Sequence, residues 1–280
     1  SEHANHGRNL LISSMTDLLD ADAVNSAVQG TIFASKIQIF PTIDSTNTYA
    51  MQEAQNGAPH GSVYVAEEQT AGRGRGAHAW HSEPYAGLYI SIVVRPQMIP
   101  ADALWLSLAT GLAVQAAIEN VTALVADIRW PNDLLFGNRK FGGLLTELNA
   151  EATRVRYAVT GIGINVNHGQ FPPDLREVAT SLRLESDRFV SRQDLLSAIL
   201  QAMHSEIRAL MQPDSFAETI RSILVRIERK SSWVRGKRVS VEEGGGYTGV
   251  TAGLDARGFL KVQTDAGMRT VLSGGVRNAL

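Results

Sequence analysis

The sequence predicts a large domain built of helices and strands, followed by a small five-stranded or SH3-like β-barrel, and three observations carry this. Long segments with apolar residues at helical spacing alternate with short apolar runs that read as strands over most of the 280 residues. Beyond about Val225 the helical periodicity stops. Arg238–Val241, Gly249–Leu254, Phe259–Val262 and Arg269–Leu272 follow as short strand candidates separated by glycine-containing turns.

Taken in order, residues 1–14 read as a flexible lead, with structure beginning near Met15–Asp20. Ile37–Phe40 alternates like a strand, and Asp44-Ser45-Thr46-Asn47 supplies capping residues for a helix over Tyr49–Ala54. Val63–Ala66 and Gly87–Val94 are the next strands. Asp102 is placed to cap a helix over Ala103–Asn120, with Leu104, Leu108, Leu112 and Ala116 on its inner face and Trp105 in packing. Val125–Trp130 forms a strand closed by Pro131-Asn132-Asp133, and Leu144–Leu148 and Val155–Thr160 read as a hairpin. Ser191 opens a helix to about Met211, and a shorter one occupies Asp214–Leu224. The expected divisions are 1–34 as a lead, 35–224 as the larger domain and 225–280 as the small one.

Composition removes several chemistries. There is no cysteine, which excludes disulfides, thiolate catalysis and thiolate metal sites. A formal net charge of −2 gives no whole-molecule attraction to a nucleic-acid backbone. The apolar runs read as too short and too interrupted to span a membrane, and the polar start lacks a signal-like segment, so a cytoplasmic protein is expected.

Chemistry concentrates in the polar segments that follow apolar runs. Residues 69–80, QTAGRGRGAHAW, alternate three glycines with two arginines, offering backbone N–H groups and guanidinium forks to a phosphate or carboxylate. Lys140 precedes Phe141-Gly142-Gly143, so its ammonium is placed beside bare backbone, to neutralise approaching anions or to be solvated in a turn. Asp133 is placed either to ligate magnesium or to cap its turn. In Gly161-Ile162-Gly163-Ile164-Asn165 the isoleucines can anchor one face of a strand while the glycines leave room for a flat ligand on the other. Neither a dinucleotide fingerprint nor a P-loop is present. His78 and His81 make no convincing zinc pair, and no serine has a nucleophile-elbow context.

Taken in order, DSTN at 44–47, EEQTAGRGRG at 67–76, Trp80, RWPND at 129–133, RKFGGLLTEL at 139–148 and GIGINVN at 161–167 resemble the biotin protein ligases, also called biotin–[acetyl-CoA-carboxylase] ligases. The resemblance covers about residues 35–280 and implies an α+β fold: a mixed-sheet catalytic domain of the biotin/lipoate ligase type with a C-terminal SH3-like barrel. The segment before residue 35 reads as too short for the DNA-binding domain of the repressor members, so the ligase-only form is expected. Family chemistry would be two acyl-transfer steps: biotin and ATP give biotinyl-5′-AMP, and a lysine of a biotin carboxyl carrier protein then takes the biotin. Magnesium and ATP are the implied cofactors, with no nucleic acid and no membrane as partners, and a monomer or weak homodimer is expected.

The resemblance implies that Ser45, Thr46 and Gln69 hydrogen-bond the ureido end of biotin, with Gly72 and Arg73 closing over it. Arg75 and Lys140 would be the catalytic cations at the reacting carboxylate and phosphate, and Trp80 would cover the intermediate or its adenine side. Asn47 and Asn132 belong to the same ligand-binding set, Asn165 would approach the ribose or phosphate, and Asp133 would organise the site through magnesium. Gly142, Gly143, Gly161 and Gly163 would admit ligand beside the sheet. Gly76-Ala77-His78-Ala79 departs from the basic residues many relatives carry there, which implies a weaker grip on the ATP phosphates or one supplied elsewhere. The alternatives are a lipoate or octanoate ligase and a biotin-responsive DNA-binding regulator.

Overall fold

The computed structural model describes residues 17–76 and 78–279, so the lead expected over 1–14 lies outside the described residues. Helix α1 (Ala21–Ala27) falls inside the segment expected to be a lead. Its N-terminus is capped by the Asp20 carboxylate, which accepts from the Asp22 and Ala23 amides at 2.9 and 3.2 Å. Val24 and Val28 bury completely in the main core. With seven residues and one buried side chain in the helix, α1 offers too few turns for the periodicity to show.

A seven-stranded mixed sheet forms the larger domain, comprising β1 (Ile37–Phe40), β2 (Val63–Ala66), β3 (Gly87–Val94), β4 (Asp127–Arg129), β5 (Asp133–Phe136), β6 (Arg139–Ala150) and β7 (Val155–Asn165). Its order is β1-β2-β3-β7-β6-β5-β4; only β1 and β2 run parallel. Strands β6 and β7 form the expected hairpin but extend to 12 and 11 residues, because the glycines that seemed to end them are paired in register, Gly143 with Gly163 and Leu145 with Gly161.

The pleat gives the sheet two unlike faces. Leu88, Ile90, Ile92, Ile162 and Ile164 point into the main core, where α3 (Leu104–Thr122) and α5 (Arg192–Leu210) pack. Tyr89, Ser91, Val93 and Val159 point to the other face, covered in part by α2 (Thr46–Gln55) through Ala50 and Ala54. That second face carries the glycines 143, 161 and 163, and hence the site.

Several sequence expectations shift. Asp102 belongs to a single 3₁₀ turn, Pro100–Asp102, and α3 starts at Leu104 without a side-chain cap. Ala116 is exposed, whereas Leu108, Leu112 and Trp105 are buried as expected. By length and mean hydropathy Pro100–Thr122 would suffice to cross a membrane, contrary to the reading of its composition; 67% of its most apolar window is buried inside the protein. Helix α4 (Leu182–Ser186) is a single short turn capped by Ser181, and α6 (Phe216–Lys230) runs past the boundary expected at residue 225. Only Ile223 and Ile227 of α6 are fully buried, so its apolar stripe is too sparse to mark its end from sequence.

Strands β8 (Arg235–Val241), β9 (Tyr247–Leu254), β10 (Leu260–Thr264), β11 (Gly267–Val271) and β12 (Val276–Asn278) form an antiparallel five-stranded sheet in the order β11-β10-β9-β8-β12. This is the expected small β domain. It is fastened to the larger one where Trp130 donates its indole N–H to the Gly258 carbonyl at 2.9 Å.

Candidate functional site

The site grows from the N-terminus of α2, the glycine ledge of β6 and β7, and the loop between β2 and β3. Ser45 caps α2, its hydroxyl accepting weakly from the Thr48 amide at 3.5 Å. This fixes Thr46 and Asn47 against the sheet, both almost fully buried. The Thr46 amide and hydroxyl donate to Gln69 Oε1 at 2.9 and 3.1 Å, and Gln69 Nε2 donates to Ser82 Oγ at 3.0 Å. Ser91 Oγ lies 2.8 Å from Thr46 Oγ1 and 2.7 Å from Asn47 Oδ1. These groups are held in one orientation by one another, as hydrogen-bond readers of a small polar ring system must be.

The loop at 69–80 folds as a hairpin. The Trp80 amide donates to the Gly72 carbonyl and the Gly74 amide to the His78 carbonyl, each at 2.8 Å. Gly72 is required by closeness: a Cβ there would meet Trp80 O at 2.6 Å and Ser82 Oγ at 2.8 Å. The hairpin lays Trp80 over the glycine ledge, where a Cβ on Gly143 or Gly163 would come within 2.8 or 2.7 Å of the indole. Lys140 Nζ stands 5.4 Å from the centre of the same ring. Arg73 closes the loop onto β6 through a bidentate pair with Glu147, at 2.8 and 3.1 Å, and Glu147 also accepts from Asn47 Nδ2 at 2.8 Å.

Lys140 and Asp133 meet at 2.5 Å at the opposite wall, and Arg129 grips the second oxygen of Asp133 through two donors at 3.0 and 2.6 Å. Burial alone would raise the Asp133 carboxyl, but Lys140 and Arg129 outweigh it and hold it below the usual carboxylate range. Arg75 lies against Gly274 and Pro131, where the two domains meet; burial lowers its guanidinium from the ordinary value, opposed by Asp133 and Glu243.

One cleft therefore gathers Ser45, Thr46, Asn47, Gln69, Arg73, Arg75, Trp80, Asn132, Lys140, Gly143, Gly161 and Gly163. Three of the residues expected in contact with ligand stand apart from it. Gly142 faces the other side of the sheet, where its Cβ would meet Leu134 at 3.0 Å, because it is out of phase with Gly143 in the pleat. Asn165 is on the same face as Gly163 but one step beyond the ledge, and its amide donates to the Thr180 carbonyl at 3.1 Å. Gly72 shapes the hairpin rather than the cleft wall. Asp133 has both oxygens committed to cations, so it does not fit the role of magnesium ligand; two adjacent positive groups oppose a third. Ala77, in the segment that departs from the family pattern, lies outside the described residues.

Sequence reasoning missed Glu147 and Ser91. Both were legible by alternation: Glu147 is four residues past Gly143 on β6, and Ser91 faces Gly161 across the β3–β7 pairing. It also missed Arg192, which is fully buried beneath the site and pairs with Glu67 at 2.5 Å and Asp17 at 2.8 Å. A wider groove of 1020 Å³ opens elsewhere among Arg95, Met98, Arg154 and Phe216, but it holds none of the convergent polar groups. The cleft under Trp80 has only about 40 Å³ of free space, far below what a small-molecule site needs. The indole lies over the glycine ledge and Arg73 lines the cleft, and both ride on the loop, so ligand entry requires the loop to move.

What this arrangement can do chemically is hydrogen-bond a polar group at one end, lay a flat group on a glycine ledge, and neutralise anions with Arg75 and Lys140. It offers no cysteine and no serine with a basic partner, so charge stabilisation and positioning are its resources. Comparison with known proteins agrees. The Biotin/lipoate A/B protein ligase family matches residues 39–165 and the Biotin protein ligase C terminal domain matches residues 235–276. The bifunctional ligase/repressor BirA of Bacillus spizizenii is 34% identical over 236 residues, covering 84% of this chain and 71% of that protein. The biotin–[acetyl-CoA-carboxylase] ligase of Mycobacterium tuberculosis is 32% identical over 247 residues, covering 85% and 86% of the two chains. Among solved structures, the biotin protein ligase from Aquifex aeolicus in complex with biotin and ATP superposes with a TM-score of 0.74 at 29% identity, over 88% of this chain and all of that one. The chain belongs to the biotin protein ligase family.

Proposed function

We propose that the protein is an ATP-dependent biotin ligase that forms biotinyl-5′-AMP and transfers the biotinyl group to a lysine of a biotin carboxyl carrier domain. The observation that carries this is the pairing, in one cleft, of a hydrogen-bonded polar end (Thr46, Asn47, Gln69) with a cationic end (Arg75, Lys140) across the glycine ledge. A ligand with a polar ring, an aliphatic arm and a carboxylate fits that sequence of environments.

In the first step a biotin carboxylate oxygen attacks the α-phosphorus of ATP, forming the mixed anhydride and releasing pyrophosphate. Two anions must approach each other, and the protein's contribution is to lower that repulsion. Lys140, already poised against the Asp133 carboxylate, exchanges that partner for the incoming oxygens. Arg75 supplies a second, partly desolvated cation. In the second step the carrier amine attacks the anhydride carbonyl, forming an amide and releasing AMP. Trp80 and the Arg73–Glu147 clasp keep water away until the carrier arrives. Magnesium would accompany the ATP phosphates; no described residue is assigned to it.

The catalytic part corresponds to the larger sheet and its helices, from about residue 35 to α6, and the small domain contributes Gly274 beside Arg75. We place the reaction in the cytoplasm, with the chain acting as a monomer or weak homodimer. The deciding assay is incubation with labelled biotin, ATP, magnesium and an apo carrier domain. Label should appear on the carrier lysine, and in a direct competition, binding of lipoate in preference to biotin would move the assignment to the lipoate branch.

A further inference from the structure

His81, Glu83 and His168 lie together beside the active-site loop, although they come from two distant parts of the chain. One donor atom from each falls within 4.8 Å of the others. His81 and Glu83 follow Trp80 on the stem by which the loop returns to β3, and His168 lies just past the end of β7. His81 and Glu83 are neighbours in the chain, but His168 is 87 residues past His81, and only the fold brings it to them.

His168 is the informative member. Its side chain is 0% exposed, yet neither ring nitrogen has a hydrogen-bond partner among the described residues. Leaving a buried imidazole without partners is costly, and native structures seldom do so without a reason. The ring is held flat against Phe171, with centroids 5.3 Å apart and planes 5° from parallel, and the His81 ring centre is 5.9 Å away. Burial, helped by His81, pushes its pKa down to about 3, so the ring is neutral, the form that ligates metals. The surrounding backbone is fixed: the Asn167 amide donates to Ala86 O at 2.7 Å, Ser181 Oγ to His168 O at 2.7 Å, and Tyr89 Oη to Glu83 O at 2.9 Å.

We propose that His81, Glu83 and His168 form a binding site for a zinc-type divalent transition metal ion, distinct from the biotin and ATP cleft. Two imidazoles and one carboxylate are a borderline nitrogen and oxygen donor set, suited to Zn²⁺ or Co²⁺ and ill suited to Mg²⁺ or Ca²⁺. Bonds of about 2.0–2.1 Å place tetrahedral donors roughly 3.4 Å apart, so the three groups close by about an ångström on binding, a movement His81 and Glu83 can make by rotamer change. Water completes the fourth position. The ion would cross-link the stem of the Trp80 loop to the end of β7, limiting how far the loop swings.

The test needs no biotin chemistry. The full chain, stripped with chelator, is titrated with Co²⁺ and then with Zn²⁺. One equivalent of Co²⁺ should bind with the intense visible absorption of a four-coordinate site, and Zn²⁺ should displace it. His81→Ala and Glu83→Gln should each weaken binding at least about tenfold and abolish the absorption, with the circular dichroism spectrum unchanged. His168→Phe fills the same buried space and should remove binding while keeping the fold. Absence of saturable binding would overturn the proposal, as would one equivalent of Co²⁺ that survives both His81→Ala and Glu83→Gln.

Discussion

Lys140 Nζ rests 2.5 Å from Asp133 Oδ1 while Arg129 holds the other oxygen, so the carboxylate acts as a stand-in anion for the lysine. Lys140→Ala is expected to slow pyrophosphate release by about 10²-fold or more. Transfer from preformed biotinyl-AMP to the carrier should fall much less. Equal, near-wild-type rates in both assays would show that Lys140 has no such role.

The same relationship sets a pH dependence. The Asp133 carboxyl is held below its ordinary value, so its contribution to stability is complete above pH 3.8 and is lost as pH falls through the depressed value. Asp133→Asn leaves Lys140 and Arg129 facing a neutral amide and should lower stability at neutral pH. The gap between variant and wild type, followed by urea unfolding, should stay constant at neutral pH and narrow only in strong acid. A gap that opened instead as pH fell would contradict the assigned direction.

Arg73 and Glu147 are part-exposed, so their pair adds at most about 1 kcal/mol to stability. Its value lies in holding the loop shut. Arg73→Ala should leave the melting temperature nearly unchanged, weaken biotinyl-AMP binding and raise release of the free intermediate. Hydrogen exchange over residues 70–80 should slow on adding the intermediate in the wild type and less so in the variant.

Gly163→Ala places a methyl group against the Trp80 indole, and Gly161→Ala places one against the Asn47 amide. The neighbouring side chains can yield, so folding should survive, but the ledge is lost. KM for biotin should rise by at least about tenfold in each, whereas Gly142→Ala, facing Leu134 at 3.0 Å, should reduce stability without that change.

Arg192 is fully buried with Glu67 at its guanidinium, and Arg192→Leu strands that carboxylate. A loss of about 3–5 kcal/mol in unfolding free energy is expected. Because Glu67 opens the segment leading to Gln69, the double variant Arg192→Leu/Glu67→Leu should recover much of the stability while biotin binding stays impaired.

The site was legible where alternation and glycine placement spoke directly. Gly143, Gly161 and Gly163 form one ledge because they share a strand face, and Ser45 caps a helix because its hydroxyl follows a strand and precedes a helical pattern. Gly142 was misassigned because a motif written as consecutive letters hides the pleat, which sends neighbours to opposite faces, and Asn165 because its amide is taken by the Thr180 carbonyl, a contact made only by the fold. Arg192, Glu67 and Asp17 meet only through the fold, 125 and 175 residues apart, and no local pattern foreshadows such a contact. The small domain declared itself by glycine spacing, but β12, three residues long, was too short to register.

The Trp130–Gly258 contact bears on how this chain is made. A Cβ at Gly258 would touch Trp105 and Leu108 of α3 at 3.0–3.2 Å, so the backbone there is a lid on that part of the core. During synthesis α3 and Trp130 leave the ribosome long before residue 258 does, and they wait with apolar surface uncovered. The segment around Gly258 therefore completes the cover over α3 late in synthesis, and a chain lacking it would leave Trp105, Leu108 and the Trp130 indole N–H uncovered.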